Sequence, residues 1–403
     1  MHTPDTITAE ARGLLALTLA PGMGPVRIAR VLSAFGSYEH ILSASPAELA
    51  RVPGMGAKTV AALTDALKSS DDTVNRELDA IQRAGAHIVT INDPGYPPLL
   101  RAIPAAPPVL TVRGSLQPQD ADRYTVSIVG SRTSTHYGIE QSSRFAGSLA
   151  RSGMTLVSGG ARGVDTAAHR GAIDAGGRTI AVLGCGIAKA YPPENAELFD
   201  RIADDHGAVI SELPAHTGPN AENFPARNRI ISGLSLGVIV IEAGLKSGAL
   251  ITARHAVEDH GREVMGVPGR VDSLASAGTH ELLKQGAHLV SDPGDVVSIL
   301  EGHARHLHAG THDAISGDPA RPARPTSSAS PDPIEPAQGS SPEPVGDLSD
   351  TQRAILAALD EPRTPDEIAP AAGLEAGALR ADLTMLEIAG RVRRVGSRFE
   401  RAR

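Results

Sequence analysis

The chain has 403 residues, one cysteine, and a formal net charge of −8 from 38 Lys and Arg against 46 Asp and Glu. That length exceeds what one compact core usually supports and predicts several domains. The lone Cys185 excludes an internal disulfide framework and fits a reducing cytosol, while the acidic balance excludes a uniformly basic nucleic-acid binder but leaves room for a local cationic patch.

Aromatic residues make up 2% of the chain, with no Trp, so the core must rest on Ala, Leu, Ile and Val. No apolar run reaches the length of a membrane span. The start, MHTPDTITAEARG, lacks a basic stretch followed by a long apolar one, so no signal peptide is expected and the expected location is cytoplasmic.

Residues 1–70 read as short helices. Leu14, Leu15 and Leu17 lead into Pro21-Gly22-Met23-Gly24, and Leu49 and Val52 lead into Pro53-Gly54-Met55-Gly56. The two turns form a weak tandem repeat of helix, tight turn, helix.

Residues 71–301 alternate β-rich runs with helical stretches. The runs are His87–Ile91, Val126–Gly130, Thr155–Ser158, Thr179–Leu183, Ala208–Ser211, Val238–Ile241, Glu263–Val267 and His288–Val290. Helices such as Gly138–Arg151 and Thr166–Ala175 fill most gaps. Several runs are apolar without alternation, as strands buried on both faces should be. The predicted fold class is α/β, a Rossmann-like doubly wound parallel sheet. Residues 302–346 are dominated by Pro, Ser, Ala and Gly and read as a disordered linker. Residues 347–403 make a small module with helical runs at Asp350–Leu359, Asp366–Ala371 and Glu375–Ala389, then a hairpin at Arg391–Glu400.

In doubly wound sheets, ligands bind at the carboxyl ends of strands, where glycine-rich turns meet helix starts. Such turns recur here. They include Gly130-Ser131-Arg132, Ser158-Gly159-Gly160-Ala161-Arg162-Gly163, Gly184-Cys185-Gly186 and Lys246-Ser247-Gly248. Cations prefer the other end of a helix, so Arg132 and Arg162 beside helix starts point to anion binding rather than to dipole compensation. A second dense segment, Phe224 to Leu234, places Arg227, Asn228 and Arg229 just after an aromatic residue, a combination suited to phosphate contact plus base stacking. The plainer reading makes Phe224 core and pairs one arginine with Glu212 or Glu242. The candidate anion-binding set is Gly130, Ser131, Arg132, Gly159, Gly160, Arg162, Gly163, Phe224, Arg227, Asn228, Arg229, Lys246, Ser247 and Gly248. No dinucleotide fingerprint, Walker loop, zinc spacing or nucleophile elbow occurs, so no catalytic residue, metal or cofactor is expected.

Taken in order, these motifs resemble the DprA (DNA-processing protein A, or Smf) family. The matching pieces are Val126 to Arg132, Ser158 to His169, Tyr191 to Asn195, Phe224 to Leu234, Ser247 to Ala253, Val267-Pro268-Gly269 and Gly278-Thr279-His280. The resemblance covers about residues 90–292. It implies a non-enzymatic protein that binds single-stranded DNA, protects incoming DNA during natural transformation and helps load the recombinase RecA. It also implies DNA contact at Arg132 and Arg162, with Phe224 to Arg229 close by, and homodimerisation through residues 278–292. The chain departs from the family pattern at Ala188, where an acidic residue is frequent, and at His280, where Asn is frequent.

The paired Pro-Gly-Met-Gly turns resemble helix-hairpin-helix motifs or a sterile-alpha-motif-like helical module, with Arg27 and Lys58 in the place of the basic residue after each hairpin. The C-terminal module resembles a winged helix, with Gly396-Ser397 at the wing tip. The competing functional reading is a phosphoribohydrolase of the lonely-guy type, which also uses a Rossmann-like fold with phosphate cradles.

Overall fold

The computed structural model describes residues 7–301, 350–373, 379, 383, 386, 391–395 and 398–401. The expected linker and the wing tip lie outside these residues. Contacts divide the chain into two compact units, 1–318 and 319–403.

The first unit opens with helices α1 (Ala9–Leu19), α2 (Pro25–Phe35), α3 (Tyr38–Ser43), α4 (Pro46–Leu49), α5 (Ala57–Lys68) and α6 (Ser70–Arg83). Local chemistry sets their starts. Pro25 occupies the first turn of α2, where no N–H is needed, and Ser45 with Glu48 forms a capping box on α4. The helices close over Leu17, Ile28, Val31, Ile41, Leu49 and Leu63. The Arg27 guanidinium donates to the Gly22 carbonyl at 2.6 Å and to the Gly54 carbonyl at 3.0 Å. Arg27 therefore ties the two tight turns together, rather than standing beside the first as its place in the motif suggests.

The helical array runs on past residue 70 into α6, and the sheet follows, with the short α7 (Pro98–Arg101) between its first two strands. Its strands are β1 (Ala86–Thr90), β2 (Val109–Gly114), β3 (Thr125–Val129), β4 (Thr155–Ser158), β5 (Thr179–Val182), β6 (Gly207–Ser211), β7 (Gly237–Val240), β8 (Glu263–Gly266) and β9 (His288–Leu289). The order is β1-β2-β6-β5-β4-β3-β7-β8-β9. From β6 to β9 every pairing is parallel, whereas β2 runs antiparallel to both β1 and β6. Eight strands match runs expected from the sequence. The ninth, β2, was not anticipated, and with it the expectation that β1 joins a purely parallel sheet gives way to an antiparallel edge.

Alternation within the strands assigns the two faces. Val129, Val238 and Val240 pack on one face with Ile230 and Ile231 of α11 (Asn223–Gly233), Leu234 just after it, and Ala249 and Ala253 of α12 (Ala249–Arg254). Val126, Ile128, Ile239 and Ile241 pack on the other with Phe145 and Leu149 of α8 (His136–Arg151) and Val164 and Ala168 of α9 (Val164–Asp174). Both faces being covered explains why β3 to β7 read as continuous apolar runs. Further along the second face, α10 (Ala196–Arg201) covers β5 with Leu198 and Phe199. Two short elements complete the unit near the sheet edge, α13 (Ala277–Lys284) and a helix at 293–301.

The second unit has helices at Asp350–Ala357 and Pro365–Ala372 and an antiparallel hairpin of Val392–Val395 with Arg398–Arg401. Thr364 and Glu367 form a capping box with Pro365 at the first helical position. A bridge between Arg363 and Phe399 adds a third extended segment to the hairpin, as a winged helix requires. Ile355, Leu359, Ile368, Leu379, Leu383, Leu386, Val392 and Phe399 form its core.

Helix α9 buries two titratable groups with opposite consequences. The Thr179 hydroxyl donates to the Leu156 carbonyl at 2.9 Å, so it accepts from Nδ1–H of His169 at 2.7 Å. Nε2 of His169 is then a buried acceptor with no partner among the described residues. Burial pushes this histidine from 6.5 down to about 3. As pH falls through 6.5, the unfolded chain takes up a proton that the folded chain refuses until about pH 3, and stability drains. Asp165 works the other way. Burial raises its carboxyl from 3.8 to about 6, so the folded chain holds a proton in that window that the unfolded chain has lost. In melting-temperature profiles from pH 8 to 5, His169→Leu should flatten the acid-side loss, worth at most about 1.4 kcal/mol per pH unit. Asp165→Asn should steepen it. Parallel profiles for all three proteins would contradict these assignments.

Candidate nucleic-acid interface

The chain leaves β3 for α8 on one face and leaves β7 for α12 on the other. The carboxyl ends of these neighbouring strands therefore diverge, and a groove of about 720 Å³ opens between them. Gly130, Ser131, Arg132, Phe224, Arg227, Asn228, Lys246, Ser247 and Gly248 line it, together with Ala161, Asp165, Tyr191 and Thr252. Nine of the fourteen residues singled out from the sequence thus meet in one place.

The aromatic floor is local. Phe224 lies in the first turn of α11, and its ring lies 5.7 Å from that of Tyr191. The chain has five Phe and five Tyr, so two of its ten aromatic side chains sit in this groove. Arg132 places its guanidinium 4.9 Å from the Phe224 ring centroid, a cation–π geometry that holds the charge over the floor. Arg132 and Lys246 are exposed and have no carboxylate within ion-pairing distance among the described residues.

The other arginines are engaged. Arg227 is 4% exposed, and its guanidinium donates to the carbonyl of Gly159 at 2.7 Å and to that of Val182. It stitches the end of β4 to the end of β5, and burial lowers its pKa to about 10. Asp165 lies in its field and accepts from the Ala161 N–H at 3.2 Å. Arg229 points away from the groove into a half-buried ion pair with Glu212, the arrangement the plainer sequence reading allowed. Burial pushes the Glu212 carboxyl up, against the pull of Arg229. Arg162 is exposed at the rim and pairs with Glu194. Gly159, Gly160 and Gly163 do not line the groove. A side chain at Gly159 would strike Arg227 and Asp165, and one at Gly160 would strike Phe199.

The turn at Gly184-Cys185-Gly186 also departs from its expected role. A Cβ at Gly184 would come within 2.6 Å of the Phe224 ring. This turn is the bed on which the aromatic floor rests, and an anion has no room there. Tyr191, like Ala161, Asp165 and Thr252, lines the groove although sequence reasoning gave it no role. Its signal was an aromatic in a chain poor in them, two residues ahead of Pro193.

Three family models match the chain. "DNA recombination-mediator protein A" matches residues 87–301, "SAM-like Helix-hairpin-helix tandem" residues 14–69, and "DprA winged helix domain" residues 339–397. The chain is 36% identical to Protein Smf of Synechocystis over 395 residues, 96% of this chain and 98% of that one. It is 39% identical to DNA processing protein DprA of Bacillus subtilis over 240 residues, 60% of this chain and 80% of that one. The solved structure of DNA processing protein A from Streptococcus pneumoniae superposes with a TM-score of 0.62 at 34% identity, covering 73% of this chain and 98% of that one.

Buried and exposed arginines should separate in the laboratory. Arg227→Met removes two hydrogen bonds to buried carbonyls and should cost about 3 kcal/mol. Arg229→Met strands Glu212 and should also lower the melting temperature. Arg132→Ala should leave it unchanged. A melting point for Arg132→Ala as low as that of Arg227→Met would show that Arg132 is a structural residue.

Proposed function

Because the chain belongs to the DprA/Smf family of DNA-processing proteins, we propose that the groove between β3 and β7 binds single-stranded DNA without catalysing a reaction on it. The observation that carries this reading is Arg132 held over the Phe224 ring at the open end of a parallel sheet, with Lys246 across the groove. A base stacks on an aromatic ring, or on a guanidinium plane lying over one, only when it is not paired in a duplex, and the charges of Arg132 and Lys246 attract the phosphates on either side of it. Ser131, Ser247 and Asn228 supply the uncharged polar lining. The net charge of −8 is no obstacle, because the groove itself carries arginine and lysine with one acid, Asp165, among its lining residues.

The phosphoribohydrolase reading asks for a carboxylate free to act on a small nucleotide. Asp165 is occupied by the Ala161 N–H, and Glu242, behind the turn, by Thr135. The family reading extends further. The protein protects incoming strands in the cytoplasm and helps load RecA during transformation and recombination. It dimerises through residues 278–292, where strand β9 forms the sheet edge and Leu289 is exposed. Arg162 joins the strand-binding surface from the rim, after exchanging Glu194 for a phosphate.

Titration of labelled oligo-dT tests the central claim. Affinity should fall as salt rises, because each phosphate contact releases counterions. Arg132→Ala and Lys246→Ala should each weaken binding and flatten the salt slope by roughly one unit. Phe224→Ala should weaken it by about 1–3 kcal/mol with the slope unchanged, because stacking carries no net charge. Duplex of the same length should compete poorly. Normal binding by all three variants would move the site elsewhere, and hydrolysis of a nucleoside monophosphate by the wild type would favour the enzyme.

A further inference from the structure

Glu242 follows β7 with one residue between, is 2% exposed, and does not line the groove. It nevertheless grips the turn that carries Arg132 at both ends. Its backbone carbonyl accepts from the Ser131 N–H at 2.7 Å. One carboxylate oxygen accepts from the Thr135 N–H at 2.7 Å and the other from the Thr135 hydroxyl at 2.7 Å. Thr135 is the N-cap of α8, and its hydroxyl oxygen in turn accepts from the Gly138 N–H. Arg132 lies between these two anchors, with its backbone tied down on either side and its side chain over Phe224. The space is shaped to the carboxylate, since a Cβ at Gly138 would come within 2.6 Å of it.

A buried acid directly behind an anion-binding turn is electrostatically the wrong choice. At this range a negative charge repels phosphate through a low dielectric. Its retention needs a gain that outweighs that repulsion, and the gain available is geometric. We propose that Glu242 is the positioning residue of the strand-binding groove, fixing the 131–135 turn so that Arg132 stands over Phe224 before DNA arrives. This rests on the reading that Arg132 holds a phosphate. Preorganisation of this kind spares the ordering cost of a long side chain on binding.

The test compares oligo-dT affinity for the wild type, Glu242→Ala, Glu242→Gln and Gly138→Ala, each with and without Arg132→Ala. Glu242→Ala should weaken binding about tenfold, the scale of one charge-assisted contact. Glu242→Gln should recover most of it, because an amide can accept from the Thr135 N–H and donate to the Thr135 hydroxyl. Gly138→Ala keeps the charge but displaces the carboxylate, and should weaken binding as Glu242→Ala does. Once Arg132 is Ala, none of the three should change affinity further. Electrostatics alone gives the opposite sign, with stronger binding for the Ala and Gln variants alike. That outcome overturns the proposal, as does an equal fractional loss with Arg132 present or absent. Should Glu242→Ala not fold, Gly138→Ala and Glu242→Gln decide in its place. A readout without DNA separates this claim from the phosphate reading. The ring-current shift that Phe224 imposes on the Arg132 guanidinium, seen by NMR of arginine-labelled protein, should be lost in Glu242→Ala and Gly138→Ala and kept in Glu242→Gln. Its persistence in the first two overturns the positioning role even if Arg132→Ala binds DNA normally. If Arg132→Ala binds normally while the shift is lost as stated, the positioning role stands and the phosphate reading fails.

Discussion

Two adjacent parallel strands that send the chain to opposite faces must leave a gap at their carboxyl ends. Here that gap lies between β3 and β7, and the rest of the groove is arranged around keeping it open and oriented. The Ser131 N–H reaches across it to the Glu242 carbonyl, and the Gly278 N–H closes on the Ala243 carbonyl from behind. Next to it, Arg227 bridges the ends of β4 and β5. The walls of the groove are therefore bonded to the sheet that carries them. These bonds make its turns part of the sheet rather than loops above it.

Charge is allocated within that frame rather than spread over it. Four arginines occur in the motifs that mark the groove, and their motif positions look equivalent. The fold gives them different environments. Arg227 spends its donors on carbonyls, Arg229 on Glu212, and Arg162 on Glu194, while Arg132 faces the groove over an aromatic ring. Lys246 comes from the opposite wall. An acidic protein can thus present a cationic groove, because its other arginines in this region are paired or bonded internally.

The sequence carried the sheet well because burial on both faces leaves a strong mark. Runs such as Val126–Val129 and Val238–Ile241 have no polar alternation to confuse them with amphipathic helices. Strand β2 left a weaker mark. Val109–Gly114 follows a stretch rich in Pro and Ala and ends in Arg113 and Gly114, which reads as loop, and it is ordered by two antiparallel neighbours distant in sequence. The same limit applies to the site. The motifs singled out Arg132, Phe224, Arg227 and Lys246, and all four line the groove. Which of them is buried depends on contacts made across 45 to 68 residues, such as Arg227 with Val182 and with Gly159. Glycine was also ambiguous, since Gly130 lines the groove whereas Gly184 makes room for a ring.

The placement of Phe224 depends on more than the sheet. The loop after β6 is strapped from two sides before it reaches α11. The Glu77 carboxylate of α6 accepts from the Ala215 N–H at 2.6 Å, and the Gly186 and Ala188 N–H groups donate to the Thr217 and Ala215 carbonyls at 2.8 and 3.0 Å. The strapped loop then supplies Pro219 and Ala221 to the groove wall and delivers Phe224 onto Gly184. Helix α6 also puts Ala80 and Ile81 into the cluster that holds Leu183, Cys185 and Phe199. The helical segment ahead of the sheet is therefore coupled to the aromatic floor through one hydrogen-bonded loop. No residue of α6 lines the groove itself. The helices ahead of α6 also meet the sheet directly, where Leu14 and Leu15 of α1 pack with Val109 of β2.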